Sequence, residues 1–135
     1  MAYFKDADEV YQYLGEVFRV AERHPDVGPK LRSAGVKLEV VYTDPASTIV
    51  INFAEPMEVI DGGSAPDADV HLYMPADIAD KYWRGEYNLA VGLAKGQVKA
   101  KGPVNKILKL VPLTKPIFSM YREMTADKDA AVAAA

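Results

Sequence analysis

The stretch Val36-Lys37-Leu38-Glu39-Val40-Val41-Tyr42-Thr43-Asp44-Pro45-Ala46-Ser47-Thr48-Ile49-Val50-Ile51-Asn52-Phe53 decides the fold class. Val36, Leu38, Val40 and Tyr42 alternate with Lys37, Glu39, Val41 and Thr43, the period of two that a half-buried strand requires. Asp44-Pro45-Ala46-Ser47 is turn chemistry, because proline presets φ while Asp and Ser side chains bond their own backbone. Residues 48–53 are dense in β-branched side chains and form a second strand, antiparallel to the first across so short a turn. Residues 57–60 predict a third strand, closed by Asp61-Gly62-Gly63. Beyond a polar loop through Asp67, Val70, Leu72 and Met74 alternate with His71 and Tyr73 in a fourth.

On either side of this meander the period lengthens to that of a helix. Val10, Leu14, Val17, Phe18 and Ala21 predict an amphipathic helix over 6–23, opened by an Asp6/Glu9 capping box and stopped by His24-Pro25. A short helical turn is expected over 30–34, ended by Gly35. After the fourth strand, Pro75 opens a helix whose Ile78 and Tyr82 share a face, and Gly85 ends it. Asn88 caps a second, Leu89-Ala90-Val91-Gly92-Leu93-Ala94, predicted buried because it carries almost no polar side chain. Gln97-Val98-Lys99-Ala100-Lys101 reads as a fifth strand near an edge, with a parallel join through the preceding helices. Pro103 opens a last helix bearing Val104, Ile107, Leu108 and Val111. Pro112 and Pro116 then break the chain into an apolar extension over 113–124. The expected class is α+β: a five-stranded mixed, largely antiparallel sheet with helices packed on one face. One domain is expected over residues 1–124, followed by a frayed alanine-rich tail, 125–135.

The chain's 135 residues are 50% hydrophobic and 26% charged, ordinary for one globular domain and unlike a disordered chain. No run approaches the ~18 apolar residues of a spanning helix. The opening Met1-Ala2-Tyr3-Phe4-Lys5-Asp6 lacks the basic-then-apolar order of a secretion signal, and the chain has no cysteine, so a cytoplasmic location is the expectation. Catalytic signals are missing too. The two histidines, His24 and His71, make no HxxxH or HxH pattern, and none of Ser33, Ser47, Ser64 and Ser119 sits in a G-x-S-x-G turn. Asp67 with Asp69, and Asp77 with Asp80, lack a neighbour that would tune a carboxylate. Gly92 to Gly96 joins helix to strand, the reverse of a phosphate loop. These residues point to a protein that is not an enzyme, with no metal and no cofactor.

Charge and apolar residues both gather late in the chain. Residues 1–94 carry −8 and 123–135 carry −2, whereas 95–122 carry +7 without a single acid. Such a block attracts phospholipid head groups or other anions, or is simply a solvated lysine face. Nucleic acid is not expected, since no aromatics interleave with the lysines as stacking platforms. The apolar surplus, from Leu89 through Met124, is either core plus an oligomer contact or the wall of an apolar cavity.

The segments Asp69-Val70-His71-Leu72, Pro75-Ala76-Asp77-Ile78, Gly85, and Asn88 through Gly102 resemble the sterol carrier protein type 2 family. The pattern is a strand opened by an acid, a helix ending near a glycine, and an "A-x-x-x-G-x-x-x-x-x-G" run approximated by Ala90, Lys95-Gly96 and Gly102. Pro103 stands where that family commonly has an acid. The likeness covers about residues 6–111. It implies an apolar tunnel between sheet and helices for a sterol, fatty acid or fatty acyl-CoA, with no catalytic residue. Pocket walls expected on that basis are Phe18, Ile51, Phe53, Leu72, Met74, Ile78, Tyr82, Leu89, Leu93, Leu108, Phe118 and Met120. Lys99, Lys101, Lys106 and Lys109 would meet an anionic head group or, transiently, a membrane surface. The alternative is an accessory module that pairs with itself or docks on an enzyme of lipid or quinone metabolism through Leu113, Ile117, Phe118, Met120, Tyr121 and Met124.

Overall fold

The computed structural model describes residues 2–134. A five-stranded sheet runs β3-β2-β1-β4-β5, built from β1 (Val36–Thr43), β2 (Ser47–Phe53), β3 (Glu58–Asp61), β4 (Val70–Pro75) and β5 (Lys99–Lys101). β1 pairs antiparallel with β2 from Val36↔Phe53 to Tyr42↔Ser47, as the hairpin chemistry dictates. β3 extends β2 and β5 extends β4, both antiparallel. A parallel ladder joins β1 to β4, with Leu38 opposite Val70 and Tyr42 opposite Met74. The parallel join expected at the fifth strand therefore falls one strand earlier. The cause is the 62–69 loop, which crosses the sheet between β3 and β4. It is pinned where Ala65 N–H donates to Glu39 Oε2 (2.7 Å), Lys37 N–H to Asp69 Oδ2 (2.9 Å) and Lys37 Nζ to Asp67 (2.9 Å).

This register sorts the strand residues onto two faces. Leu38, Val40, Tyr42, Ile49, Ile51, Phe53, Val70, Leu72 and Met74 share one, and all are buried against helices. The other carries Lys37, Glu39, Thr48, Asn52, His71, Lys99 and Lys101, with Val50 under Ala65 and Ala68 of the crossing loop.

The first helical run is α1 (Ala7–Val10), a π-helical turn (Tyr11–Gly15) and α2 (Glu16–Arg23); Asp6 caps it by accepting from Glu9 N–H at 2.9 Å. The π turn sits where the helix meets β3. A Cβ at Gly15 would overlap the Asp61 carboxylate, which pairs with Arg19 at 3.0 Å. Next come α3 (Val27–Arg32), α4 (Ala76–Trp83) and α5 (Leu89–Ala94), the last capped by Asn88. α5 departs from expectation: only Leu89 and Gly92 are buried, and Val91 is 44% exposed. At six residues it makes fewer than two turns, and Leu89 and Gly92 face the core while Ala90, Val91 and Ala94 face outward.

The C-terminal third is more helical than its prolines suggested. After α6 (Asn105–Leu108), Pro112 lies in a 3-10 turn (Val111–Thr114), and Pro116 lies in the first turn of α7 (Lys115–Met124). There its missing N–H leaves no helical bond unmade. The tail expected to fray from 125 is instead α8 (Ala126–Ala134); Ala135, like Met1, lies outside the described residues. Side chains hold it: Thr125 is fully buried, Lys128 pairs with Glu9, and Asp129 accepts from Tyr3 OH (2.6 Å) and from Arg84 Nη1 and Nη2 (3.0 Å each). Arg84 also forks onto Asp80 at 3.0 Å, and Asp80 accepts from Tyr121 OH at 2.7 Å. Among the described residues no helix is long and apolar enough to cross a membrane.

Candidate functional site: an apolar pocket between sheet and helices

Leu38, Val40 and Tyr42 are successive inward residues of β1, and Leu72 and Met74 stand beside them on β4. Together with Phe53 they floor a pocket. Phe18 and Leu31 close one side, Ile78, Ala79, Tyr82 and Trp83 of α4 another, and Leu89, Ile107, Leu110, Val111 and Thr114 the rest. The empty space, open mouth and the solvent in it included, is about 680 Å³. About 80 Å³ of it lies far enough from the walls to seat a water-sized atom, so the facing side chains stand close together. Ile78, Tyr82 and Val111 are the half-buried lining residues, which puts the opening between α4 and the 3-10 turn.

Among the described residues no charged side chain lines this pocket. Its polar atoms belong to Tyr42, Tyr82, Trp83 and Thr114. Thr114 Oγ1 donates to Val111 O at 2.7 Å, which leaves it to accept from Tyr82 OH, also at 2.7 Å. Burial pushes the Tyr82 phenol up to about 12. Burial alone pushes the Tyr42 phenol well above the usual tyrosine range. Trp83 stacks edge-to-face on Phe18, Tyr82 and Phe118, with centroids at 5.3, 5.2 and 6.4 Å. That cluster stiffens the α4 side of the pocket.

Of the residues expected from the sequence, Phe18, Phe53, Leu72, Met74, Ile78, Tyr82 and Leu89 stand on this wall. Ile51, Leu93, Leu108, Phe118 and Met120 do not. Ile51 is fully buried in the core, Leu93, Leu108 and Met120 are half-buried beside it, and Phe118 lies against Tyr82 and Trp83. Sequence reasoning missed Leu38, Val40 and Tyr42, although their alternation was plain. What it lacked was the parallel pairing that sets β1 next to β4. It also missed Trp83, Ala79, Leu110 and Thr114, which a helical-wheel reading of α4 and of 107–114 places near Ile78 and Ile107.

The lysines separate by face. Lys99 pairs with Tyr73 and Lys101 with His71, while Ala100 between them pairs with Leu72, so both lysines lie on the sheet face opposite the pocket. Lys101 Nζ is 5.9 Å from the Tyr73 ring centroid. Lys106 and Lys109 are exposed on the segment whose Ile107 and Leu110 line the pocket.

His71 Nδ1 lies 2.7 Å from Glu39 Oε1 on the opposite face of the sheet. Burial would raise the Glu39 carboxyl, but the Ala65 N–H and His71 bonds overcome it and hold the group below its ordinary range. Asp80 is committed to Arg84 and Tyr121, and Asp77 accepts from Tyr3 N–H at 2.9 Å. Among the described residues no cluster of His, Asp and Glu is arranged to hold a metal ion.

Comparison with protein-family models gives no match, and comparison with curated proteins gives none. Solved structures do match. Sterol Carrier Protein 2 from Yarrowia lipolytica, in its apo form, superposes with TM-score 0.60 at 19% identity, over 76% of this chain and 87% of that one. Palmitated SCP2L2 from Aedes aegypti gives 0.57 at 17%, over 78% and 94%. The inverting sec-alkylsulfatase Pisa1 from Pseudomonas sp. gives 0.57 at 21%, over 63% of this chain, but the chain spans only 14% of that enzyme. The chain thus has the fold of sterol carrier protein 2 domains.

Proposed function

We propose that the protein is a non-catalytic carrier that takes an apolar lipid, such as a sterol, a fatty acid or a fatty acyl-CoA, into the pocket between sheet and helices. One observation carries this reading: a pocket whose lining has no charged side chain sits on the buried face of a sheet that shares its fold with sterol carrier protein 2 domains. Burying roughly 350 Å² of ligand apolar surface at about 25 cal/mol/Å² is worth ~9 kcal/mol before entropic losses. After entropic losses of several kcal/mol, that gain suits weak, broad binding to walls that offer few polar contacts. Because the walls stand close together, loading widens the pocket at its opening, where the Tyr82–Thr114 bond spans α4 and the 3-10 turn. An anionic head group left outside would be met by Lys106 and Lys109, which are exposed on the segment that carries Ile107 and Leu110, and a transient membrane contact would use the same charge.

The supporting experiment is displacement of a fluorescent fatty-acid probe by unlabelled lipids, read with native mass spectrometry. Saturable uptake of one lipid per chain supports the carrier reading, and absence of uptake across sterols, fatty acids and acyl-CoAs ends it. The alternative, a docking module that uses the 113–124 segment, has less surface to work with. Ile117 and Tyr121 of α7 are fully buried, and Phe118 is turned onto Tyr82 and Trp83.

A further inference from the structure

Tyr42 is the last inward residue of β1, 2% exposed, and it lines the pocket. Its neighbours on the sheet, Ser47 and Met74, give its hydroxyl nothing to bond. Ser47 is engaged elsewhere, its Oγ donating to Pro45 O at 3.0 Å. Among the described residues the Tyr42 hydroxyl has no hydrogen-bond partner. It is not walled in either, since among those residues no side-chain polar atom that is fully enclosed lacks a partner. Tyr42 lines the pocket, and its phenol is buried, unpartnered and not fully enclosed by protein atoms. Buried polar groups are almost always bonded, because leaving one unmade costs most of its desolvation. The other hydroxyls of the lining are bonded, Tyr82 OH donating to Thr114 Oγ1 and Thr114 in turn to Val111 O.

Resting on the carrier reading, we propose that Tyr42 donates a hydrogen bond to a neutral oxygen of the bound lipid, an alcohol, ketone or ester, and so selects lipids with such a group inside the pocket. A carboxylate is excluded from that position. Among the described residues no cation lines the pocket, and one neutral donor does not offset the cost of stripping water from an ion. A fatty acid or acyl-CoA therefore leaves its charge outside, whereas an alcohol or ketone is bound through its oxygen. The spacing of the floor adds a length. Leu38 and Tyr42 are four residues apart on one strand, about 13 Å, so a ligand anchored at Tyr42 lies along β1 with its apolar body over Val40 and Leu38.

Trp83 supplies the control, since its indole N–H is the other donor of the lining without a partner among the described residues.

The test compares size-matched probes, 1-dodecanol and 1-chlorododecane, against the wild-type chain, Tyr42→Phe and Trp83→Phe. Tyr42→Phe removes an unbonded hydroxyl, so the ligand-free variant is expected to be at least as stable as the wild type. The ratio of alcohol to chloroalkane affinity is expected to fall about fivefold in Tyr42→Phe, the effect of one neutral hydrogen bond, while chloroalkane affinity is unchanged. With 2-tridecanone labelled at its carbonyl, the infrared band of the bound ketone is expected at lower frequency in the wild type than in Tyr42→Phe. An unchanged ratio in Tyr42→Phe, or a loss confined to Trp83→Phe, overturns the assignment to Tyr42. Failure of the wild type to bind even the chloroalkane is a different result: it removes the carrier reading and this proposal with it.

Discussion

The hydroxyl of Tyr82 lies 2.7 Å from Oγ1 of Thr114, and that bond ties α4 to the 3-10 turn on either side of the pocket opening. Thr114 passes its own proton to Val111 O, so the three groups form a chain whose members are all bonded. Thr114→Val keeps the shape and removes the acceptor. The variant is expected to lose about 1–2 kcal/mol by urea denaturation, and to release a bound fluorescent probe faster than the wild type in stopped flow. Release at the wild-type rate would show that the opening lies elsewhere.

The same phenol gives an alkaline signature. Its folded value is raised from 10.0 to about 12 by burial, so the neutral form is the one the fold accepts. The stability it contributes is intact below pH 10 and is lost as pH rises from about 10 toward 12. Tyr42, Tyr3 and Tyr121 are raised in the same direction, each by burial first. An ultraviolet titration is expected to show late-ionising phenols released together with unfolding, and Tyr82→Phe is expected to remove one of them.

Arg84 holds the C-terminal helix to α4. Burial alone would lower its guanidinium value, but bonds from Asp129 and Asp80 raise it, so it stays charged throughout the working range. Burial would raise Asp129, yet Arg84 and Tyr3 overcome that and hold it below the usual carboxylate value. A depressed carboxylate stabilises the fold above its unfolded value and ceases to do so as pH falls through its folded one. Hydrogen exchange over 126–134 is therefore expected to accelerate in acid, below the ordinary aspartate range. Arg84→Met is expected to bring the same acceleration to neutral pH, at a cost of about 1–3 kcal/mol, because Asp80 loses its cation while the more exposed Asp129 is screened by solvent.

Gly102 follows β5 with φ +91°, and a Cβ there would overlap the carbonyl oxygen of Asp69 at the start of β4. Both the backbone conformation and the close approach call for glycine. Gly102→Ala is expected to destabilise by at least about 1–3 kcal/mol, read as a lower urea midpoint with unchanged slope. A neutral result would mean that the β4–β5 edge yields easily.

The strands were legible because their alternation is local. Val36 through Phe53 declares two strands and a turn without reference to anything distant. What the sequence concealed was long-range. The parallel placement of β4 beside β1 depends on the 62–69 loop crossing the sheet, and polar loop residues do not announce which face they cross. Charge does not say which face Lys99 and Lys101 occupy, and pairing with β4 puts both on the side away from the pocket. The tail misled for the opposite reason: Ala126–Ala134 has no apolar stripe, and a salt bridge from Asp129 to Arg84, 45 residues away, holds it in place of a core. Seven of the seventeen lining residues are among those expected from apolar character and segment. Tyr42 is not, because an unbonded hydroxyl is a property of packing rather than of pattern.

Whether the pocket holds a lipid is the central question, and Ala79 gives the most direct access to it. Ala79 is 3% exposed on α4 and faces the pocket. Ala79→Leu fills space that is empty in the ligand-free protein, so it leaves stability unchanged or improved while occupying the ligand's place. The deciding measurement is native mass spectrometry of wild type and Ala79→Leu after incubation with a mixture of long-chain alcohols, fatty acids and sterols. A one-to-one lipid adduct is expected on the wild type, falling at least tenfold on Ala79→Leu, with equal melting temperatures or a higher one for the variant. No adduct on the wild type, or the same adduct on both, would contradict lipid binding in this pocket.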